Sequence, residues 1–499
     1  MNKMIKKNSN NLVKLGLLAM IPVITLVCNT AYADEIDDFI QATMVEKKIP
    51  GLQLAVVRNN KIIKTASYGL SSIQYSVPVH NDTVFPIASM TKGFIGVAIM
   101  QLVEQGKINL SEPISSYLPD LPKQWRSITA RQLITHTSGL PRIYNEIFSL
   151  IDPKGPEASW KLVQKLPLES KANTQWSYVQ TNYALLGKII DKISGQPYEK
   201  FIVQNQLQKV QMPKTEAAGF AGQKYVIPHQ STNYMHEQMR KQTGKLVTFS
   251  EGYSRLMAPA GGMNSTAIEL ARYAIAVQKG ELFEKNASLE TLWSADKLNN
   301  GNMVGRNSRQ AYALGWEVIG RNDHPTVHIG GNANSAMIIY PKDNLSIVVL
   351  SNKIGSDPKT FMHEIAGFYV SDMKAENGFD LPPTAKPLFL ALKNKSYDNA
   401  IEVAVDLQKT KNIKFGINDI NNWGYILVGQ NKKAEALEIF RLNTVLYPKN
   451  TNAWDSLAET YGALGNMEQA VKYYRKALKV NPDYANASNI RKMLKANDF

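Results

Sequence analysis

A serine and a lysine three residues apart are the first residues in the sequence whose types and spacing suit catalysis. Ser89 and Lys92 lie in the stretch FPIASMTKGF, where a polar segment gives way to the helical pattern GFIGVAIMQLVEQG. Residues three apart lie on one face of a helix, so the two side chains can touch. A touching Ser–Lys pair can act as a nucleophile with its base. In the structural alternative, Ser89 caps the helix and Lys92 is a solvated residue of its first turn.

The surroundings of this pair suit the catalytic interpretation. Lysine acts as a base only when it is neutral, which requires partial burial and positive or dipolar groups nearby. The apolar flank FIGVAIMQLV provides burial for the helix. The N–H of Ser89, at the helix N-terminus, would lie where a developing oxyanion is favoured.

The elements that must position this pair predict an α+β fold. The segment LQLAVVRNNKIIKTASYG forms two strands that turn at Asn59-Asn60, and helical or loop-rich sequence extends from Ser89 to about Val277. Strands return in YALGWEVIG, TVHIGG and SAMIIYPKDNLSIVVLSNK, and the helix KTFMHEIAGFYV follows. This order predicts an antiparallel sheet built from both ends of the unit, with an inserted helical subdomain.

The first 33 residues are predicted to be a secretory signal peptide. They combine a lysine-bearing start, an apolar run from Leu15 to Val27 and a small residue at Ala33, after which cleavage is expected. The apolar run is shorter than the roughly 20 residues of a transmembrane helix. Bulky Val27 before Cys28 does not suit a lipid-anchored cysteine. We therefore expect an exported protein, periplasmic or secreted, without a stable membrane anchor.

Composition excludes several classes of function for the mature chain. Cleavage removes the single cysteine, and with it any disulfide, thiol nucleophile or thiolate metal site. It also removes four lysines and no acid, so the formal charge of +15 becomes +11. The basic residues are scattered among acids, which favours a solvated surface over nucleic-acid binding. The seven histidines show no metal-ligand spacing, so we expect neither a metal nor a cofactor.

A domain boundary is predicted after residues 34–372. The stretch KAENGFDLPPTAKP contains three prolines and a glycine, which marks the start of a linker assigned to residues 373–416. The later part of that segment, LFLALKNKSYDNAIEVAVDLQK, has a helical pattern that is compatible with a degenerate repeat.

The C-terminal residues 417–499 repeat themselves. Residues 417–450 align with residues 451–484 at an offset of 34, and the second copy has the pattern W-x2-L-A-x2-Y. This resembles a pair of tetratricopeptide repeats, each a helix–turn–helix, followed by a capping helix in ASNIRKMLKANDF. Such repeats can bind a protein partner in a shallow groove, or they can pack as a scaffold or dimer contact.

Further motifs in the first unit resemble a known superfamily. After the Ser89 stretch come ITARQLITHTSGLP, WSYVQTNYALLGKIIDKISGQPYEKFI, APAGGMNSTAIELARY, YALGW and HIGG, in that order. The series is similar to the serine β-lactamase and penicillin-binding-protein-like superfamily, on its class C β-lactamase, D-peptidase and family VIII esterase side. The resemblance extends from about Asp34 to Asp372.

This resemblance implies roles for three residues. Ser89 would be the acylated nucleophile, Lys92 its base partner, and Tyr178 a second proton shuttle that activates Ser89 and later the deacylating water. The structural alternative for Tyr178 is a buried aromatic residue beside Trp176 and Tyr183.

The resemblance also implies residues that bind substrate. His328, Gly330 and Gly331 fall where the superfamily has Lys-Thr-Gly or His-x-Gly. The glycines would let substrate lie close to the strand, and the Gly331 N–H would be the second oxyanion donor. His328 would orient the substrate carboxylate or the tyrosine, whereas a lone histidine is more often structural.

Two further positions in these motifs carry expectations. Gln180 stands where the superfamily usually has asparagine; it keeps the amide but is one methylene longer, which favours esters or peptides over β-lactams. His136, in HTSGL, is expected to shape a turn and not to take part in the chemistry.

The sequence thus predicts an exported β-lactamase-related serine hydrolase that acts by an acyl-enzyme on Ser89. Its substrate would be a small molecule or peptide with an acyl group: an ester, an amide, a D-amino-acid peptide or a β-lactam. The alternative is a protein that binds cell-wall peptides or β-lactams without turnover and recruits a partner through its repeats.

Overall fold

The computed structural model describes most of the chain from Val27 onward. The described residues are 27–144, 150–216, 229–238, 243–249, 253–306, 310–321, 323–379, 381–430, 432–484 and 486–496. The predicted signal peptide therefore lies mainly outside the described residues. Within these ranges, no helix is both long enough and apolar enough to cross a bilayer.

The described residues form twelve strands and sixteen α-helices. The strands are β1 Gly51–Arg58, β2 Lys61–Ser72, β3 Val77–Pro78, β4 Phe85–Pro86, β5 Asn233–Gln238, β6 Thr243–Phe249, β7 Asn264–Ser265, β8 Gln310–Tyr312, β9 Glu317–Ile319, β10 Thr326–Gly331, β11 Ser335–Tyr340 and β12 Leu345–Ser351. The helices of the first unit are α1 Val27–Lys47, α2 Thr91–Glu104, α3 Ala130–Ile134, α4 Pro156–Val163, α5 Gln180–Ser194, α6 Tyr198–Ile202, α7 Ala267–Gln278, α8 Asn286–Leu292 and α9 Lys359–Tyr369. The C-terminal helices are α10 Lys386–Leu392, α11 Ala400–Lys411, α12 Ile417–Gly429, α13 Lys433–Leu446, α14 Thr451–Ala463, α15 Met467–Val480 and α16 Ala487–Ala496.

The central sheet joins the two ends of the first unit. Its strand order is β3-β2-β1-β12-β11-β10-β9-β8, and every neighbouring pair is antiparallel. Strand β1 pairs with β12, with Leu54 opposite Val349. Nearly every residue of β1, β11 and β12 is buried, because helices cover both faces of the sheet. The predicted sheet built from both chain ends is confirmed.

Asparagines form the tight turns that set the register of this sheet. Asn59 and Asn60 connect β1 to β2 with φ angles of 50° and 60°. Two consecutive residues at positive φ form the type I′ turn that suits a twisted hairpin, and asparagine tolerates that conformation. Asn344, with φ of 50°, ends the turn between β11 and β12.

Helices on the two faces form two separate hydrophobic cores. Helices α1 and α9 cover one face through residues such as Ile40 and Ile365. Helix α2 lies on the other face, and every residue from Thr91 to Leu102 is buried, as expected of a helix that is apolar on most sides. Its Gly96 lies so close to the segment between β8 and β9 that a Cβ on Gly96 would meet the Leu314 carbonyl oxygen at 2.2 Å.

The middle of the first unit differs from the prediction in one respect. It contains the expected helices α3 to α6, but also the pair β4–β7 and the hairpin β5–β6. Tyr234 of the hairpin donates its hydroxyl to Gln74 at 2.6 Å and accepts the N–H of Ile73 at 2.7 Å. The hairpin thus packs against residues that are about 160 positions away in the sequence. Local sequence patterns cannot predict contacts over such a distance.

Four C-terminal helices fall within the residues of the two predicted repeats. Helices α12 and α13 fill residues 417–450, and α14 and α15 fill residues 451–484. Close helix approach needs a small residue: a Cβ on Gly424 would lie 2.5 Å from the Phe440 ring. Helices α10 and α11 contribute to the same core through Leu388 and Val403, so the segment compatible with a degenerate repeat is a helical pair.

The predicted linker packs against the first unit at its start. The Phe379 ring lies 5.7 Å from the His324 ring and 5.6 Å from the His363 ring. The Arg321 guanidinium lies 4.8 Å from the Phe379 ring centroid. These contacts hold the first turns of the linker on the surface formed by the β9–β10 loop and α9.

Candidate active site

Ser89 lies in a single turn of 3₁₀-helix, Ala88–Met90, directly before α2. The preceding strand β4 pairs with β7, which fixes the entry to this turn. Ala88 has a φ of 44°, an uncommon conformation for a residue with a Cβ. Strained backbone of this kind persists only where its surroundings hold it, and such positions cluster at functional sites.

Lys92 is buried and lies against Ser89. It is 1% exposed, and its Nζ donates to Ser89 Oγ at 3.1 Å and to the Ala260 carbonyl oxygen. The Nζ also lies 4.8 Å from the Tyr178 ring centroid and 5.1 Å from that of Tyr183. The two side chains touch, and Lys92 is buried and not solvated.

Tyr178 completes a set of three side chains. Its hydroxyl lies close enough to Ser89 for that serine to influence its pKa, and Lys92 donates to the same serine. Burial raises the pKa of Tyr178 above its ordinary value, and the neighbouring Ser89 hydroxyl opposes that rise only in part. Tyr178 is therefore a neutral phenol at neutral pH, able to donate or relay a proton. Its aromatic neighbours include Trp176 and His136.

Gly331 lies directly beside the turn that carries Ser89. A Cβ on Gly331 would come within 2.2 Å of the Ile87 carbonyl oxygen and 3.0 Å of the Ala88 Cβ. At Gly330 the nearest atom to such a Cβ would be 3.4 Å away, an ordinary contact. Strand β10 pairs with β9 only over residues 326–328, so both glycines lie beyond that pairing.

His328 is held by a carboxylate that the sequence analysis missed. It is 2% exposed, and its Nε2 lies 2.9 Å from Oε2 of Glu317 on β9. Burial alone would raise the pKa of Glu317, but His328, Lys359 and Arg306 hold it well below its usual range. The partner follows from strand register, since His328 is directly opposite Glu317. The predicted role of His328 toward substrate stays a prediction.

Gln180 is the first residue of α5 and lies two residues after Tyr178. Its Oε1 is buried, and among the described residues it has no hydrogen-bond partner. A buried carbonyl oxygen without a partner is costly, which favours its use by a ligand or water. Contact between Gln180 and substrate stays a prediction.

The HTSGLPR segment forms hydrogen bonds with the start of α5 and with the residues just before that helix. Ser138 Oγ donates to Asn182 Oδ1 at 2.7 Å, and Thr181 Oγ1 donates to the Pro141 carbonyl at 2.8 Å. Arg142 donates to Ser177 Oγ at 2.6 Å. His136, which the sequence assigned only to a turn, packs its ring 4.3 Å from that of Tyr178. Because His136 and Tyr178 are far apart in the sequence, no local sequence pattern indicates this contact.

These features define a class of protein. The fold combines a sheet built from both chain ends with a central buried helix that has Ser-x-x-Lys at its N-terminus. A tyrosine near that serine and a glycine-containing strand beside it complete the penicillin-binding-protein-like serine β-lactamase fold. The chain belongs to the Beta-lactamase family, whose model matches residues 36–368. A tetratricopeptide repeat model matches residues 451–484.

Several known proteins are similar in sequence. Protein flp of Staphylococcus aureus (strain COL) is 26% identical over 327 residues, covering 64% of this chain and 62% of its own length. A putative penicillin-binding protein, PbpX of Bacillus subtilis (strain 168), is 27% identical over 307 residues, covering 61% of this chain and 71% of its own. The chain thus spans less than two thirds of the length of flp.

Solved structures share the fold at low identity. An octameric penicillin-binding protein homologue from Pyrococcus abyssi has a TM-score of 0.60 at 22% identity, covering 71% of this chain and 81% of that one. EstCE1, described as a hydrolase with promiscuous acyltransferase activity, has a TM-score of 0.56 at 16% identity, covering 67% of this chain and 98% of its own. These likenesses concern the fold of the first unit.

Proposed function

We propose that this protein is an exported serine hydrolase that forms an acyl-enzyme on Ser89, with esters, amides or D-amino-acid peptides as substrates. The observation that carries the proposal is the arrangement around one hydroxyl: Lys92 Nζ lies 3.1 Å from Ser89 Oγ and 4.8 Å from the Tyr178 ring centroid, and the Tyr178 hydroxyl lies beside the same serine. A nucleophile in contact with a candidate base, and with a second proton carrier, is the arrangement that covalent catalysis needs. Membership of the Beta-lactamase family supports it.

The chemistry follows from these contacts. Ser89 Oγ attacks the substrate carbonyl while its proton passes to the Lys92–Tyr178 pair. The N–H groups of Ser89 and Gly331 would hold the oxyanion of the tetrahedral intermediate. The same pair then returns the proton to the leaving alcohol or amine, which leaves an ester on Ser89. A water molecule, deprotonated by that pair, attacks this ester and regenerates the serine.

Gln180 bears on the substrate class. Its unpaired Oε1 is an acceptor, and the side chain is one methylene longer than the asparagine usual in the superfamily. This supports substrates with a donor near the scissile carbonyl, as in a peptide or amide, or small esters, and makes β-lactam turnover the less favoured activity.

Intact-mass spectrometry of the mature protein tests this function. The protein is incubated separately with a fluorophosphonate and with a penicillin, alongside Ser89→Ala as the matched control. Adducts that vanish in Ser89→Ala support the nucleophile. A fluorophosphonate adduct alone favours an esterase or peptidase, and a persistent penicillin adduct favours a penicillin-binding or slowly deacylating enzyme. No adduct from either reagent overturns the proposal and favours the non-turnover binding protein.

Export is tested on its own. We expect the mature N-terminus to be Asp34, with cleavage after Ala33, when the gene is expressed in a bacterium with a working secretion system. Fractionation then distinguishes periplasm from medium. An uncleaved chain retained in the cytoplasm would overturn the proposed export. It would have no bearing on the proposed acyl-enzyme chemistry.

For the repeats we propose recruitment of a protein partner. Helices α10 to α15 form a core of their own around residues such as Trp423 and Phe440, so they do not depend on the sheet for burial. A variant truncated before Lys386 distinguishes partner recruitment from a scaffold role. Unchanged labelling, solubility and oligomeric state would exclude a scaffold and support recruitment, whereas loss of any of them supports the scaffold.

A further inference from the structure

His136 holds the chain on both sides of Tyr178. Its carbonyl oxygen accepts the N–H of Ser177 at 2.9 Å, and its ring Nδ1 accepts the N–H of Val179 at 3.1 Å. Its ring centroid lies 4.3 Å from that of Tyr178, with an interplanar angle of 37°. Two hydrogen bonds and one ring contact from a single residue thus fix the backbone and the ring that carry the Tyr178 hydroxyl.

We infer that His136 is a positioning residue for Tyr178, acting as a neutral imidazole whose Nδ1 acceptor holds the Val179 amide and so keeps the Tyr178 hydroxyl beside Ser89. The inference rests on the proposed function. Displacement of a reacting group by about 1 Å can cost about 10²-fold in rate, so such a contact has catalytic consequences without touching substrate.

The hydrogen bonds define the protonation state of the ring. A backbone N–H can only donate, so Nδ1 must carry a lone pair, and in a neutral ring the proton then lies on Nε2. Asn182 Nδ2 lies 3.2 Å from the same Nδ1 and is a second donor to it. Ser138 donates to Oδ1 of Asn182 at 2.7 Å, which turns the NH₂ group of that amide toward His136.

The surroundings keep His136 neutral. The residue is 1% exposed. Burial, together with the charges of Lys92 on α2 and Arg142 in the same loop, holds the pKa of His136 well below its usual range. The other faces of the ring meet the phenols of Tyr178, Tyr183 and Tyr312 and the indole of Trp176. A protonated ring would turn Nδ1 into a donor facing two donors, which would break the contact.

The backbone of His136 also departs from ordinary geometry. Its φ is 61°, a region that most residues with a Cβ avoid and in which His and Asn are enriched. Strain of this kind is retained where neighbouring contacts hold it. Asparagine therefore fits the position and can present its Oδ1 near the place of Nδ1, whereas glutamine extends its oxygen toward the place of Nε2.

Two substitutions distinguish positioning from packing. His136→Asn keeps an acceptor near Nδ1 but fills less space, and His136→Gln fills more space with the acceptor displaced. The readout is the rate of fluorophosphonate labelling of Ser89, followed by intact mass, with thermal unfolding as the check of folding. Positioning predicts a loss of about 10²-fold for His136→Gln and less than about 10-fold for His136→Asn. Equal rates in the two variants, or a slower Asn variant, would overturn the inference.

A second measurement needs no variant. Nitrogen-15 chemical shifts of the imidazole in the wild-type protein at pH 7 should report a neutral ring with its proton on Nε2 and a hydrogen-bonded Nδ1. An imidazolium, or a proton on Nδ1, would overturn the inference even if His136→Gln fails to fold. Wild-type protein that is not labelled at Ser89 counts against the proposed function itself, so the two failures are distinct.

Discussion

Gly331 and Ile87 approach so closely that a methyl group on Gly331 would come within 2.2 Å of the Ile87 carbonyl oxygen. Ile87 precedes the turn that carries Ser89, and Gly331 ends the strand expected to supply the second oxyanion donor. The absence of a side chain at Gly331 thus lets the Ser89 turn and strand β10 lie next to each other.

Substitution of Gly331 tests that relationship. We expect Gly331→Ala to push β10 and the Ser89 turn apart, which lowers the thermal midpoint and slows Ser89 labelling by about 10²-fold. Gly330→Ala is the matched control for stability, because its new Cβ would meet its nearest atom at 3.4 Å. An equal loss of thermal midpoint in both variants would contradict this interpretation of the contact.

Removal of one hydroxyl separates catalysis from aromatic packing at Tyr178. Tyr178→Phe keeps the ring contact with His136 but loses the hydroxyl beside Ser89, so we expect labelling to slow by about 10² to 10⁴-fold with little change in stability. The control is Tyr183→Phe, whose lost hydroxyl donates to the Ile134 carbonyl at 3.1 Å. That variant should lose about 1 kcal/mol of stability and keep its labelling rate. The reverse pattern would make Tyr178 a structural aromatic.

His324 predicts how stability depends on pH. Its Nδ1 lies 2.8 Å from Asp343 Oδ1 and its Nε2 lies 2.9 Å from Asp372 Oδ2. Burial alone would lower the pKa of His324, but hydrogen bonds to Asp372 and Asp343 raise it above its ordinary value of 6.5. The folded state therefore binds this proton more tightly than the unfolded state does. The stabilisation is complete below about pH 6.5 and is lost as pH rises through the raised folded pKa.

The measurement compares wild type with His324→Gln. The difference in thermal midpoint between the two should be larger at about pH 5.5 than at about pH 8.5, and high salt should reduce it because Asp372 is exposed. A difference that does not change with pH would show that this histidine contributes no proton-linked stability.

Close packing in the first repeat gives a prediction for the C-terminal helices. A Cβ on Gly424 would lie 2.5 Å from the Phe440 ring, so Gly424→Ala should cost about 1–3 kcal/mol by overpacking. Gly462→Ala is the control, since its nearest neighbour would be 3.8 Å away and alanine is the better helix former by about 1 kcal/mol. Hydrogen exchange of α12 and α13 reports the change. Equal protection in the two variants would contradict the packing argument.

Much of the fold and part of the site follow from local sequence. Ser89 and Lys92 touch because three residues bring side chains to one face of a helix, and burial of Lys92 follows from the apolar run after it. The hairpin turn at Asn59 and Asn60 follows from two residues that tolerate positive φ. The repeat helices follow from a period of 34 residues. In each case the sequence determined the outcome because the interacting residues are close together or the pattern recurs.

Other features were decided only by tertiary structure. Glu317 reaches His328 because two strands pair in one register, and His136 reaches Tyr178 because a loop folds back on the start of α5. The β5–β6 hairpin is likewise held by a contact with Gln74, far away in the chain. These contacts depend on long-range packing. Packing fixes the distances between segments whose sequences show no pattern that relates one to the other. The sequence by itself thus determined the Ser89–Lys92 contact and the class of fold, whereas packing decided what holds these two side chains in place.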